Sequence, residues 1–450
     1  MKIHWQTAVA RVALGGVVTG FSFGVATAQI VPRPAGARTA LSMSEVKPES
    51  VGISSERLER LHALMQDMVD KKQEAGIVTL LARHGKIVDF RTYGQSKIEA
   101  GAPMTRDAIF RDFSMTKPVT GAAMMILYEQ GKWLPSDPVS KFIPEFTHLK
   151  VFKEIGADGN MVLEDPAHPP TMAELMTHTA GFTYGIFGNT PVDKMMGEKK
   201  VWAAHDLHEF VERLSTIPLL YQPGTRWVYS VSMDIEGYII EQISGQSLPD
   251  FMRDHIFDPL GMKDAGFYVP QAKRGRFAQL YVTGADGRLV ADATGGGLSG
   301  DFSAQPTMPL GGGGMVSTTE DYYRFLEMLL HHGELDGKRI LAPSSVALMT
   351  SNHLRADLLA DKFGIGAMTL RPGFGYGYTC AVAFDPLQAN MSEGKGSFSW
   401  GGAAGTWFWA DPTNDLVFIG MVQRMMGPAS PNIESVSRSL VYQALIDPAK

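Results

Sequence analysis

Ser114-Met115-Thr116-Lys117 opens an almost wholly apolar run, Val119, Ala122, Ala123, Met124, Ile126 and Leu127, that ends near Gly131. Such a run predicts a helix buried in the centre of a domain. Pro118 suits its first turn, where a missing N–H costs at most the first rung of the hydrogen-bond ladder. A serine and a lysine three residues apart on one helical turn set a hydroxyl beside a proton acceptor. Without such a neighbour an uncharged serine hydroxyl is a poor nucleophile at neutral pH. Ser44-Glu45-Val46-Lys47 and Ser392-Glu393-Gly394-Lys395 share the spacing. Ser44, however, lies in a polar segment with no apolar periodicity after it, and Ser392 sits among Asn390, Gly394 and Gly396, which favours a loop. Ser114 is the candidate nucleophile and Lys117 its candidate partner.

A chain of 450 residues can bury a large core and hold two lobes. Its composition, 44% hydrophobic and 20% charged, is that of a globular protein. Lys2 and Arg11 flank an apolar run from Val12 to Val25, and Ala26-Thr27-Ala28 follows as an A-x-A cleavage pattern. We read residues 1–28 as a signal peptide, since a run of about 14 residues interrupted by Gly, Ser and Thr is shorter than the ~20 a membrane span needs. The expectation is an exported protein, periplasmic or secreted, with no stable membrane insertion. Removing 1–28 moves the formal charge from −6 to −8, because Lys2 and Arg11 leave and no acid does. That argues against a nucleic-acid partner. The single cysteine, Cys380, cannot form an internal disulfide and reads as a buried small hydrophobe.

Residues 29–50, with Pro32, Pro34 and Pro48, read as an extended leader. A first helix is predicted over 55–72, where Leu58, Leu61, Leu64, Met65 and Met68 share a face and Ser54 or Ser55 can cap. Ile77–Ala82 and Ile87–Tyr93, separated by His84-Gly85, predict a β-hairpin. From the Ser114 helix to about 265 the chain reads as helical and punctuated by proline. Beyond it, strands are expected at Gln279–Thr283 and Arg288–Ala291 around Asp286-Gly287, and then at 377–384, 397–400, 405–410 and 416–421. Ser317-Thr318-Thr319-Glu320 predicts a capped helix over 320–332 that Gly333 ends, and a last helix covers 432–446. Gly311-Gly312-Gly313-Gly314 lacks the lysine ending of a phosphate loop and reads as a tight turn. Strands at both ends around a helical middle predict one sheet built from distant segments, 51–130 and 270–450, with a mainly helical domain, 131–269, inserted. A site is expected in the groove where the two meet.

Gln222-Pro223-Gly224-Thr225-Arg226-Trp227-Val228-Tyr229-Ser230 places a tyrosine in a turn-rich segment before a helix at 233–244. A phenol titrates near pH 10 in water, and a nearby ammonium favours its phenolate and makes it a plausible base. Further segments stand along the chain with these: Leu175-Met176-Thr177-His178-Thr179-Ala180-Gly181-Phe182, Asp258-Pro259-Leu260-Gly261-Met262, Gly312 to Thr318, and Trp400-Gly401-Gly402. Together, over about 50–420, they make the chain resemble the serine β-lactamase and penicillin-binding superfamily, specifically its class C β-lactamase and family VIII carboxylesterase branch. The resemblance implies an α/β (α+β) fold of the β-lactamase/DD-peptidase kind, an antiparallel sheet flanked by helices plus an inserted helical lobe. It implies that Ser114 attacks a carbonyl, that Lys117 and Tyr229 shuttle its proton, and that an acyl-enzyme forms and is hydrolysed. It also implies that an edge strand near 400 lines the cleft, with the backbone N–H groups of Ser114 and Ala403 as the oxyanion hole.

Two departures bear on the substrate. Class C β-lactamases carry an asparagine two residues after the tyrosine, where this chain has Val231, and a Lys-Thr-Gly motif where it has Trp400-Gly401-Gly402, as family VIII esterases do. With that amide and that cation replaced, Val231, Trp400, Gly401 and Gly402 become candidate substrate-binding residues for a small neutral ester of short to medium acyl chain. β-Lactam or D-amino-acid peptide and amide hydrolysis, acyl transfer and a penicillin-binding sensor that acylates without turnover are the alternatives. No G-x-S-x-G surrounds any serine, so His178 with Asp165 or Asp206 does not make a Ser-His-Asp reading, and His178 reads as structural. No metal or cofactor is expected, since His331-His332 point apart on a helix and His205 and His208 lack a third ligand.

Overall fold

The hairpin expected around His84-Gly85 forms the centre of the fold. Strand β1 (Gly76–Arg83) turns into β2 (Lys86–Lys97) through His84 and Gly85, whose φ angles of 56° and 67° supply the left-handed pair that a tight hairpin needs. The computed structural model describes residues 41–294, 300, 302–360, 365, 369–427 and 430–447. The expected signal peptide, 1–28, and leader residues 29–40 lie outside them. All the described residues belong to one compact unit, 39–450.

Before the hairpin, α1 (Ser55–Asp70) starts where the Ser54 hydroxyl accepts the Arg57 N–H, and it buries Leu58, Leu61, Met65 and Met68. After it come β3 (Ala102–Pro103) and β4 (Ile109–Arg111), a short 3-10 turn, Phe113–Met115, and α2 (Thr116–Glu129). Every residue of α2 from Thr116 to Leu127 is buried, as its apolar run predicts.

The middle of the chain is not helical throughout. Strands β5 (Val151–Ile155) and β6 (Met161–Glu164) pair antiparallel around Gly159, which has φ 82°. Ile155, Val162 and Leu163 are exposed, so this hairpin lacks the one-sided burial that writes an alternating pattern into a strand. Helices α3 (Met172–Met176), α4 (Pro191–Glu198), α5 (Leu207–Ser215) and α6 (Ser232–Ser244) follow.

Strands β7 (Tyr281–Thr283) and β8 (Leu289–Ala291) pair as expected, and β9 (Val316–Thr318) pairs with β4. The capping box lies one residue later than its sequence reading: Thr318 caps Thr319–Leu330 with Asp321, while Ser317 belongs to β9 and donates its hydroxyl to Asp112. Beyond the small hairpin β10 (Glu334–Leu335) and β11 (Lys338–Arg339) come β12 (Phe374–Tyr376), β13 (Ala381–Ala383), β14 (Ser397–Gly401), β15 (Trp407–Asp411) and β16 (Leu416–Met421). Of the single strand expected at 377–384 only Ala381–Ala383 is extended, as β13; the residues before it turn back from β12 through Thr379, at φ 78°.

The main sheet runs β12-β13-β14-β15-β16-β1-β2-β3, antiparallel at every pair, so the two ends of the chain join where β16 meets β1. Strand β14 is third in this order and not an edge strand. Its pairing to β13 stops at Ser399, however, so Trp400 and Gly401 run past their neighbour and are bonded only to β15. One face, with Ile77, Leu81, Trp409 and Phe418, packs on α1 and the C-terminal helix Ile433–Tyr442. The other, with Val78, Leu80, Phe408 and Ile419, packs on α2 and the helix Thr319–Leu330. This antiparallel sheet between helical layers is the β-lactamase-like architecture that the motifs imply.

Candidate active site

Strand β4 delivers the chain to Ser114 through a strained corner. Asp112 donates its N–H to the Met315 carbonyl at 3.0 Å, and Phe113 then takes φ 44°, a left-handed conformation that costs a residue with a side chain of order 1–3 kcal/mol. Packing holds it: the Phe113 ring meets Phe302 edge-on and lies against Leu280 and Ala404. Ser114 therefore stands on a fixed turn at the head of α2, where the positive end of the helix dipole favours developing negative charge.

Three expected side chains meet there. The Lys117 ammonium donates to Ser114 Oγ at 3.2 Å and to the Gly312 carbonyl at 2.6 Å. The Tyr229 hydroxyl bonds Ser114 Oγ at 2.8 Å. Lys117 has no exposed surface, and its Nζ lies over the Tyr229 and Tyr184 rings, 4.7 and 5.3 Å from their centroids. A hydroxyl hydrogen rotates to suit its acceptor, and Ser114 Oγ has two proton-carrying neighbours within 3.2 Å, Lys117 Nζ and Tyr229 Oη. The rival serines are elsewhere: Ser44 is exposed and its N–H bonds Ser42, and Ser392 lies outside any helix.

His178 sits under the tyrosine. Its ring centroid is 4.9 Å from that of Tyr229, its Nδ1 bonds the Ser230 hydroxyl at 3.0 Å, and burial holds the imidazole neutral, well below its usual titration range. Among the described residues no acid completes a triad: Asp165 pairs with Lys150 and Asp206 caps α5. His178 is a packing and hydrogen-bonding residue that fixes the Tyr229 segment. Cys380 is likewise buried, its thiol pushed up to about 12 by desolvation.

Trp400 faces Tyr229 from the free end of β14, with ring centroids 5.5 Å apart, and Tyr376 lies 5.3 Å from it on another side. Beyond it, Gly402 donates to the Thr406 carbonyl and presses on Asp112, whose carbonyl oxygen would be 2.3 Å from any Cβ there. The turn that carries Gly401, Gly402 and Ala403 is therefore clamped to the corner holding Ser114, and Ala403 packs against the cluster around Phe113. Val231 is placed differently from the lining residue expected: it is completely buried at the start of α6. A small cleft opens beside Tyr229, with Thr183, Phe187, Val228 and Ile365 in its walls.

The sequence reading missed Gly312 as the second acceptor of Lys117, and it missed Asp234 and Tyr184. Asp234, fully buried, has its carboxyl raised to about 6 by desolvation, partly offset by Lys117. The legible signal was two acids, Asp234 and Glu236, inside a helix whose first nine residues are all buried.

A family model described as Beta-lactamase matches residues 61–441. An uncharacterised protein of Mycobacterium tuberculosis is 35% identical over 365 residues, 80% of this chain and 88% of that one. Esterase EstB of Burkholderia gladioli is 31% identical over 365 residues, 78% of this chain and 86% of its own. Among solved structures, EstCE1, a hydrolase with promiscuous acyltransferase activity, matches with a TM-score of 0.72 at 27% identity, covering 86% of this chain and 98% of that one.

Proposed function

The chain belongs to the Beta-lactamase family and is a serine-hydrolase-type enzyme, and from that premise we propose that it cleaves neutral carboxylic esters of short to medium acyl chain through an acyl-Ser114 intermediate. The observation that carries the proposal is the contact of Ser114 Oγ with both Lys117 Nζ and Tyr229 Oη, at 3.2 and 2.8 Å. Ser114 attacks the ester carbonyl as Lys117 and Tyr229 take its proton and return it to the leaving alcohol. Water then repeats the sequence on the acyl-enzyme. The N–H groups of Ser114 and Ala403 receive the oxyanion, a contribution of which each donor is typically worth ~10²–10³ in rate.

Trp400 supports the ester reading, because an indole against Tyr229 offers apolar surface where a lactam carboxylate would need a cation. EstB and EstCE1 add weight as an esterase and a hydrolase. The promiscuity named for EstCE1 favours transfer of the acyl group to an added alcohol or amine as a second reading. The division into a discontinuous α/β domain, 51–130 with 270–450, and a helical domain, 131–269, is part of the same proposal. So is export, which rests on the pattern around Ala26-Thr27-Ala28.

Hydrogen bonds to charged groups are commonly worth ~1.5–3 kcal/mol. Loss of the lactam-binding amide and cation therefore weakens lactam transition-state binding by roughly two to four powers of ten. On one purified preparation, kcat/KM for p-nitrophenyl butyrate should exceed that for nitrocefin. A larger value for the lactam would refute the ester assignment, and activity surviving in Ser114→Ala would refute the nucleophile.

A further inference from the structure

Asp234 lies in the first turn of α6, 1% exposed, directly behind the candidate base. Its Oδ1 accepts the Gly312 N–H at 2.8 Å, while the carbonyl of the same glycine accepts the Lys117 ammonium at 2.6 Å. Oδ2 has no hydrogen-bond partner among the described residues. A buried carboxylate with one oxygen unsatisfied is costly unless a charge compensates it, and the nearby charge that favours its ionised form is Lys117. The fit is tight: a Cβ on Gly312 would lie 2.7 and 2.9 Å from the two carboxylate oxygens and 3.0 Å from the Tyr184 hydroxyl.

The other titratable groups around this pair cannot replace Asp234 as counter-charge. Glu236, fully buried with neither carboxylate oxygen partnered among the described residues, is held protonated by desolvation and by Asp234. His178 is neutral by burial and by the repulsion of Lys117. The Tyr184 phenol is pushed well above its usual range by burial and by Asp234. The remaining group is Tyr229, whose ring lies 4.7 Å from the ammonium.

We propose that Asp234 is a positioning residue for acylation: through Gly312 and through its charge it aims Lys117 Nζ at Ser114 Oγ, and it sets the pH at which the Ser114–Lys117–Tyr229 group becomes free to take up the serine proton. This rests on the Ser114 reading above. A buried negative charge favours the protonated, resting form of that group, so removing it lets the group lose its proton at lower pH.

Asp234→Asn tests this, since the amide keeps an oxygen for the Gly312 N–H and loses only the charge. The measurement is kcat and KM for p-nitrophenyl butyrate from pH 5 to 10, with Ser114→Ala as the background. The acid limb of kcat/KM should move down by about one pH unit, and kcat at the plateau should fall severalfold. KM should hold, because Asp234 is too buried to touch substrate. Superimposable profiles for wild type and Asp234→Asn would overturn the proposal while leaving Ser114 intact. A Ser114→Ala enzyme at wild-type rate would instead overturn the underlying reading. If thermal melting shows Asp234→Asn unfolded, Gly312→Ala serves in its place, because its Cβ must displace the same carboxylate. It should move the limb in the same direction, and an unmoved limb there would overturn the proposal.

Discussion

Replacing Lys117 by arginine keeps a positive charge beside Ser114 and removes the capacity to accept a proton, because a guanidinium does not deprotonate. The proposed mechanism depends on that capacity. Lys117 has no exposed surface, its Nζ is 3.2 Å from Ser114 Oγ and 2.6 Å from the Gly312 carbonyl, and it lies over two tyrosine rings. Transfer to a positioned base is worth roughly 10²–10⁴ in rate, or about 3–5.5 kcal/mol of barrier. The larger guanidinium also overpacks the site, at a cost of about 1–3 kcal/mol in stability. Lys117→Met removes charge and base together at similar volume, so the pair separates the two roles. The assay is kcat/KM for p-nitrophenyl butyrate with the Ser114→Ala rate subtracted, and thermal melting confirms that each variant is folded. Both variants should lose at least a hundredfold. An arginine variant within tenfold of wild type, beside an inactive methionine variant, would show that the lysine is only a fixed charge and refute the proton-transfer argument.

Two further outcomes follow from buried groups. Asp112 is fully buried and desolvation raises its carboxyl to about 8. Between the usual ~4 of an unfolded chain and that value the native state keeps a proton the unfolded state releases, so stability falls as pH rises through this window, by up to ~1.4 kcal/mol per unit. Asp112→Asn still accepts from Ser317 and should lose less Tm than wild type between pH 5 and 8.5; equal losses would contradict the assignment. Gly121→Ala should lower Tm although alanine favours helix by ~1 kcal/mol, because its Cβ would sit 2.2 Å from Thr379 Oγ1 and overpacking outweighs propensity. A raised Tm would show that Thr379 yields.

What the sequence disclosed was mostly local. The spacing of Ser114 and Lys117, the buried face of α1, and the left-handed pair His84-Gly85 each depend on a few adjacent residues, and each has its expected counterpart in the structure. Long-range facts were legible only through family motifs. Nothing local says that β14 has β13 beside it up to Ser399 and leaves Trp400 unpaired on that side, since this depends on where a hairpin 20 residues earlier ends. Val231 shows the reverse error: its alignment with a lactam-binding asparagine suggested a cleft wall, whereas a hydrophobic residue at the head of a buried helix turns inward. Gly312 was read for its turn, and its role lies in a carbonyl that no side-chain pattern records. The hairpin β5–β6 was hidden because its apolar residues stay exposed.

The central claim is that Ser114 is the atom-bearing nucleophile. A p-nitrophenyl alkylphosphonate, which phosphonylates an activated serine and is not released by water at a useful rate, tests it most directly when followed by peptide mass spectrometry. Stoichiometric labelling of the peptide containing Ser114, in step with loss of esterase activity and absent from Ser114→Ala, is the expected result. Labelling of Ser44, Ser392 or any other residue in step with inactivation, or equal labelling of Ser114→Ala, would contradict the account.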